Sequence, residues 1–193
     1  MKTSKLILGL LMLCLTSASY AQLSEKVSKP AKKEAKRLKK EGWKVFTGAL
    51  PLEYQLDHAY QIQNNKLQEY VIGNAQSVGQ FIDAAKLQAS EMAKADLVGN
   101  ISVEITRLVS ATVDQSQTAR DQAASAIQVV EKSKSLVVQK IGTPIPLVEM
   151  YRELKNGNVE VLIRIAYDKK MGETTAKDVI RPELKKLGID LVQ

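Results

Sequence analysis

An Asn-Gly pair followed by a run of alternating residues constrains the fold of this chain most strongly. Asn156-Gly157 favours a tight hairpin turn, and apolar side chains recur at every second position from Val159 to Tyr167. Alternation with period two is typical of a strand with one buried face. A two-residue loop predicts antiparallel strands at 146–155 and 159–167, with Leu154 opposite Val159.

Most of the chain outside this hairpin has helical periodicity. The apolar spacing predicts helices at 51–64, 80–113, 118–140 and 174–187, and a further strand at 67–75. Gly99-Asn100 predicts a kink in the longest helix, and polar residues at 114–117 predict a turn after it. Residues 43–46 contain the only tryptophan and predict either a short strand or a hydrophobic clasp.

These elements together predict an α+β fold with two layers. The expected sheet is small and antiparallel, and it is covered by the 80–140 helical hairpin and the C-terminal helix. A basic N-terminal helix precedes it. We expect three parts: a leader at 1–21, the basic helix and a connecting helix at 22–66, and the α+β domain at 67–193.

The first 21 residues match the pattern of a cleavable secretory signal peptide. Lys2 and Lys5 form a positive start, an uncharged apolar core runs from Leu6 to Leu15, and Ser19-Tyr20-Ala21 satisfies the small-x-small rule for cleavage. Ten apolar residues span only about half of a bilayer core, which argues against a lasting anchor. We therefore expect a periplasmic or secreted bacterial protein with no transmembrane span after cleavage.

Cys14 is the only cysteine and lies inside the apolar core of the predicted leader. Leu13 precedes it, whereas bacterial lipoprotein signals place a small residue at that position. We expect Cys14 to be removed with the leader, so the mature chain would have no disulfide and no thiolate site.

The positive charge of the chain belongs to one segment. Of the formal net charge of +7, Lys2 and Lys5 contribute two units and residues 25–44 contribute six, from nine basic and three acidic residues. The remainder is therefore close to neutral, at −1. A short basic segment beside a neutral domain indicates a local contact surface rather than a basic protein.

The basic segment also has helix signals. Ser28 can cap a helix, Pro30 suits its first turn, and Gly42 ends it. Two interpretations remain open: a solvated spacer that packs weakly, or a contact element for an anionic envelope component such as lipid head groups or acidic glycan. The predicted contact residues are Lys32, Lys33, Lys36, Arg37, Lys39 and Lys40.

The residues offer no constellation for catalysis, cofactor binding or metal binding. His58 is the only histidine, and no serine stands in a nucleophile-elbow pattern. Arg152 is the one exception in the core pattern, because it falls on the predicted buried face of a strand. It would form a buried anion site under the helices, or else its guanidinium reaches water at the sheet margin.

Three segments resemble the LPP-type family of small bacterial envelope lipoproteins. They are Tyr70-Val71-Ile72-Gly73-Asn74-Ala75, the alanine-rich run from Ala84 to Ala95, and Asn158-Val159-Glu160-Val161-Leu162-Ile163. The resemblance covers residues 67–168 and implies an envelope location with no catalytic residues to carry over. The chain departs from the family in lacking a lipoprotein cleavage site.

We therefore expect a non-enzymatic exported envelope protein that acts by structural or surface contact. Its partner would be an anionic envelope component or an envelope protein, with no nucleic acid. The alternative is a periplasmic carrier of a small ligand, with a cavity between the sheet and the helices near Arg152.

Overall fold

The structure, a computed structural model, describes residues 27–112 and 117–189 and has the predicted α+β class. The predicted leader with Cys14, and residues 114–116 of the predicted turn, lie outside the described residues. The elements in chain order are α1 (Lys29–Lys40), β1 (Lys44–Val45), α2 (Leu52–Asn65), β2 (Tyr70–Gly79), α3 (Ile82–Thr112), α4 (Gln117–Lys140), β3 (Ile145–Glu153), β4 (Val159–Asp168) and α5 (Lys169–Lys186).

The strands form one antiparallel sheet in the order β1-β3-β4-β2. β2 pairs with β4 along its whole length, from Tyr70 opposite Asp168 to Gly79 opposite Val159. It is therefore longer than the predicted strand at 67–75, because Gln76 to Gly79 continue the pairing. β1 adds a fourth strand through two residues, which settles the open choice at 43–46 in favour of a strand.

The turn between β3 and β4 has three residues rather than the predicted two. Gly157 has a φ of +82°, the Leu154 amide donates to Asn158 O at 2.8 Å, and Glu153 lies opposite Val159. The predicted pairing of Leu154 with Val159 is therefore wrong by one residue. A one-residue shift exchanges the two faces of a strand, so Met150 lies opposite Leu162 and not opposite Ile163.

One face of the sheet is covered by α3, α4 and α5. Val161, Ile163 and Ile165 of β4 belong to the same buried cluster as the alanines and branched residues of α3. The closest approach is at Gly73 in β2, where an added Cβ would lie 2.2 Å from Ala93 O. Glycine is required there because helix backbone lies directly on strand backbone.

The opposite face is covered by α1 and α2, which adds a third layer to the two that we expected. Val148 and Met150 of β3 and Ala166 of β4 belong to a second buried cluster with the apolar residues of these two helices. The chain can build two cores because successive strand residues point to opposite faces.

Two helices differ from the sequence-based expectation. α3 is continuous through Gly99-Asn100, so these residues do not interrupt the helix. α5 begins at Lys169, five residues before the predicted start, because the Asp168 carboxylate accepts the Met171 amide at 2.8 Å and caps the helix directly after β4.

Helix side chains form hydrogen bonds with backbone groups of the strands. At the β2 edge, Asp96 accepts the Asn74 amide at 2.9 Å and the Asn100 amide group donates to Ile72 O at 3.0 Å. On β3, next to the residues that pair with the short β1, the Gln55 side chain accepts the Glu149 amide at 2.8 Å. Unpaired strand edges favour association with other strands, and these contacts reduce the length of free edge.

Candidate functional site

Helix α1 is held against the body of the protein by a narrow apolar stripe. The stripe follows the helical repeat and is buried, and it consists of Val27, Ala31, Ala35 and Leu38. Ala31 is 0% exposed and Ala35 is 2% exposed, so their small side chains let α1 lie close to α2. α1 is thus a docked element, which does not match the weakly packed spacer of the first interpretation.

Asp57 of α2 fixes the start of α1. Its carboxylate accepts the Ser28 amide at 3.0 Å and the Gln61 side-chain amide at 3.1 Å. The hydrogen bond from Ser28, followed by that from Gln61, lowers the pKa of Asp57 despite its burial. The Ser28 side chain makes no capping bond to α1, so Ser28 occupies the predicted capping position but contacts Asp57 instead.

Glu53 of α2 forms a second anchor near the other end of α1. The Lys39 ammonium donates to the Glu53 carboxylate at 2.9 Å. This hydrogen bond, assisted by the charge of Lys32, lowers the pKa of Glu53. Tyr60 adds a third polar contact, since its hydroxyl donates to Glu34 of α1 at 3.2 Å.

All six predicted contact residues are exposed, but they divide into two groups. Arg37 donates to Glu34 at 2.9 Å and to Glu41 at 2.6 Å, and Lys39 is paired with Glu53. Within residues 27–112 and 117–189, no ion pair or side-chain hydrogen bond is found for Lys32, Lys33, Lys36 and Lys40.

A row of lysines follows from the helical geometry. The lysines at 29, 33, 36 and 40 are separated by four, three and four residues, so they lie within an arc of about 60° around the axis of α1. Lys29 was missed by the sequence analysis, although the same spacing could have identified it. We call this set the lysine row: Lys29, Lys33, Lys36 and Lys40, all exposed.

A shallow groove runs beside the lysine row, between α1 and the start of α2. Its volume is about 530 Å³, and its lining residues are Lys32, Ala35, Lys36, Lys39, Lys40 and Glu53. Four of the six are cationic, so this side of α1 extends the positive surface. The arrangement can attract and hold anions.

Arg152 does not form the buried anion site that the sequence suggested. Its guanidinium forms an ion pair with Glu160 and lies over the Trp43 ring, 4.7 Å from the centroid. Glu160 also accepts a hydrogen bond from Gln76. A carboxylate of the protein itself thus occupies the position that a bound anion would take, and the Arg152 side chain is 31% exposed.

His58 is exposed on α2 and lines a shallow groove of about 150 Å³ with Leu50 and Leu147. Among the described residues, no group of three or more histidine, cysteine, aspartate or glutamate side chains is placed to hold a metal ion. A larger open groove of about 380 Å³ lies at the β2 edge and includes Arg164 and Lys169.

None of the protein-family models, curated proteins or solved structures compared with this chain gives a significant match. The resemblance to LPP-type envelope lipoproteins therefore stays a prediction. In the part of the chain that the structure describes, no helix combines the length and apolar character needed to cross a bilayer.

Proposed function

We propose that this protein is a non-enzymatic component of the bacterial envelope that acts by surface contact, with α1 as its contact element. The observation that carries the proposal is the lysine row on a docked helix. Four exposed ammonium groups lie on one side of α1, while its apolar side is buried against α2 and the sheet. The partner would be an anionic envelope component.

The docking of α1 supports this role. The ammonium groups of neighbouring lysines on one helix repel each other, and like charges four residues apart destabilise an isolated helix. Here the apolar stripe and the bonds to Asp57 and Glu53 hold the helix in place. The lysine row is thereby presented at a fixed position, which lowers the entropic cost of binding.

Arg152 offers no support for the alternative carrier function. The carrier required a cavity near this residue, but Glu160 and Trp43 pack against its guanidinium. On the helical side of the sheet, the approach of Ala93 to Gly73 leaves no space for a ligand at that point.

The test compares two variants with the same loss of charge. One replaces the lysine row by glutamine, and the other replaces four exposed lysines elsewhere by glutamine, namely Lys132, Lys140, Lys170 and Lys185. Glutamine has a helix propensity similar to that of lysine, so both variants should fold. Binding to vesicles with phosphatidylglycerol and to acidic glycan is measured at about 50 and 200 mM salt.

We expect salt-sensitive binding by the unchanged protein and by the control variant, and a loss of about tenfold or more in the lysine-row variant. Equal binding of both ligands by the two variants would contradict the proposal, since total charge rather than α1 would then govern the contact.

A further inference from the structure

The lysine row has a regular spacing along the axis of α1. With a rise of about 1.5 Å per residue, successive Cα atoms of the row lie about 6, 4.5 and 6 Å apart along the axis. These distances are shorter than the screening length of about 8 Å at physiological salt. A chain of negative charges along the helix would therefore interact with several ammonium groups at once.

The lysine row is bordered by ion pairs on both sides, and the exposed Lys32 lies between the row and the pair formed by Lys39. On one side, Arg37 is held between Glu34 and Glu41. On the other side, Lys39 is held by Glu53. Since the guanidinium of Arg37 already pairs with two carboxylates, it has no free fork for bidentate recognition of a single anion.

α1 presents no large apolar side chain to solvent. Its apolar residues are the buried stripe, and the exposed large apolar residues of the described chain lie outside α1, the first in sequence being Leu50. Helices that bind in the membrane interface insert a broad apolar face between lipids. α1 can offer only ammonium groups, and a convex helix touches a flat surface along a single line.

We propose that the lysine row binds a linear acidic polysaccharide that lies along the axis of α1. This inference rests on the proposed function and names the class of its ligand. A row of four ammonium groups along a helix axis is complementary to a one-dimensional polyanion, and the exposed Lys32 beside the row adds to its positive charge. A flat bilayer touches α1 along one line and gains no apolar insertion there.

The test measures how affinity depends on ligand length. The mature chain is titrated with oligogalacturonates of two, four and eight residues. We expect the affinity to rise about tenfold from the dimer to the tetramer, because two more ammonium groups gain a carboxylate partner. From the tetramer to the octamer it should change only a few fold, since the row has four charges.

Salt dependence gives an independent readout. If four charges are neutralised, the octamer affinity should fall on the order of 50-fold between 50 and 200 mM salt, by the slope for single-stranded polyanions. The lysine-row variant should lose both the length dependence and the salt dependence. The control variant with Lys132, Lys140, Lys170 and Lys185 replaced should keep both.

Equal affinity for the dimer and the octamer would overturn the inference. So would binding to phosphatidylglycerol vesicles that depends on the lysine row while octamer binding does not, although the proposed function would survive that result. If neither vesicles nor octamer show binding that depends on the row, the inference and the proposed function both fail.

Discussion

The two faces of the sheet are covered in different ways. On the α3 side, alanines and a glycine let helix backbone lie on strand backbone, and the buried cluster includes Leu97, Ile101 and Ile105. On the α1 side, the contact helix is attached by a thin stripe with two alanines and by polar anchors on α2. The first face has the closest approach of helix to strand backbone, and the second presents a charged helix above its own buried cluster.

This contrast predicts that substitutions on the α3 side unfold the protein, whereas substitutions on the α1 side release one helix.

The largest effect is expected for Gly73→Ala. The added Cβ would lie 2.2 Å from Ala93 O and 2.6 Å from Leu97 Cβ, so α3 must move away from β2. We expect a loss of about 3 kcal/mol in the free energy of unfolding, measured by urea denaturation. Gly99→Ala in α3 is the control, because its Cβ would meet nothing within 4 Å and should stabilise the helix slightly. Similar losses in the free energy of unfolding of the two variants would show that the close approach of Gly73 to α3 does not determine the stability.

A smaller and local effect is expected for Ala31→Leu. Ala31 of α1 is fully buried in the second cluster, so three added carbons should lower the free energy of unfolding by about 1–3 kcal/mol. Hydrogen exchange should show lost protection in α1 and unchanged protection in α3. Ala84→Leu, at an exposed position of α3, should change stability by less than about 0.5 kcal/mol. Global unfolding by Ala31→Leu would mean that the two faces are not separable.

Acid should loosen α1 before it affects the α3 side. The folded-state pKa values of Asp57 and Glu53 are lowered, so both carboxylates stabilise the docked helix above about pH 4. This contribution is lost as the pH falls through their folded-state pKa values. Asp57→Asn should cost about 1 kcal/mol at pH 7 and should weaken the pH dependence of α1 protection. An unchanged dependence would exclude Asp57 as an anchor.

The smallest effect on stability is expected for Glu41→Gln. Removal of its exposed pair with Arg37 should leave the free energy of unfolding almost unchanged. Arg37 keeps its pair with Glu34 but loses one of its two carboxylate partners, so binding of octagalacturonate should rise about twofold. Glu183→Gln, which removes a similar exposed pair with Lys186 on α5, should leave binding unchanged. A rise in both variants would show that net charge alone controls the contact.

Local patterns in the sequence were enough to predict the elements of the fold. Alternation at 159–167 and helical spacing at 118–140 gave the correct types, because each reflects one buried face. The register of the hairpin was not predictable from the Asn-Gly pair, since both two- and three-residue loops accept Gly157 with positive φ. The error reversed the faces of β3, and the second core was missed for the same reason.

The arrangement of charges on the proposed contact surface was predictable in part. The charge run identified the helix and six of its cations, but not the exclusion of Arg37 and Lys39 by internal pairing. Asp57 gave no signal, because its bond to Ser28 joins residues 29 positions apart in sequence. Arg152 fell on a core face in the predicted register, and its pairing with Glu160 became visible only in the folded sheet.

The most direct test of the account is a lysine footprint. The mature chain is treated with an amine-reactive reagent with and without octagalacturonate, and the modification of each lysine is measured by mass spectrometry. We expect protection of Lys29, Lys33, Lys36 and Lys40, and unchanged reactivity of Lys132, Lys140, Lys170 and Lys185. Protection spread evenly over both sets, at a ligand concentration that saturates binding, would contradict the assignment of α1 as the contact surface.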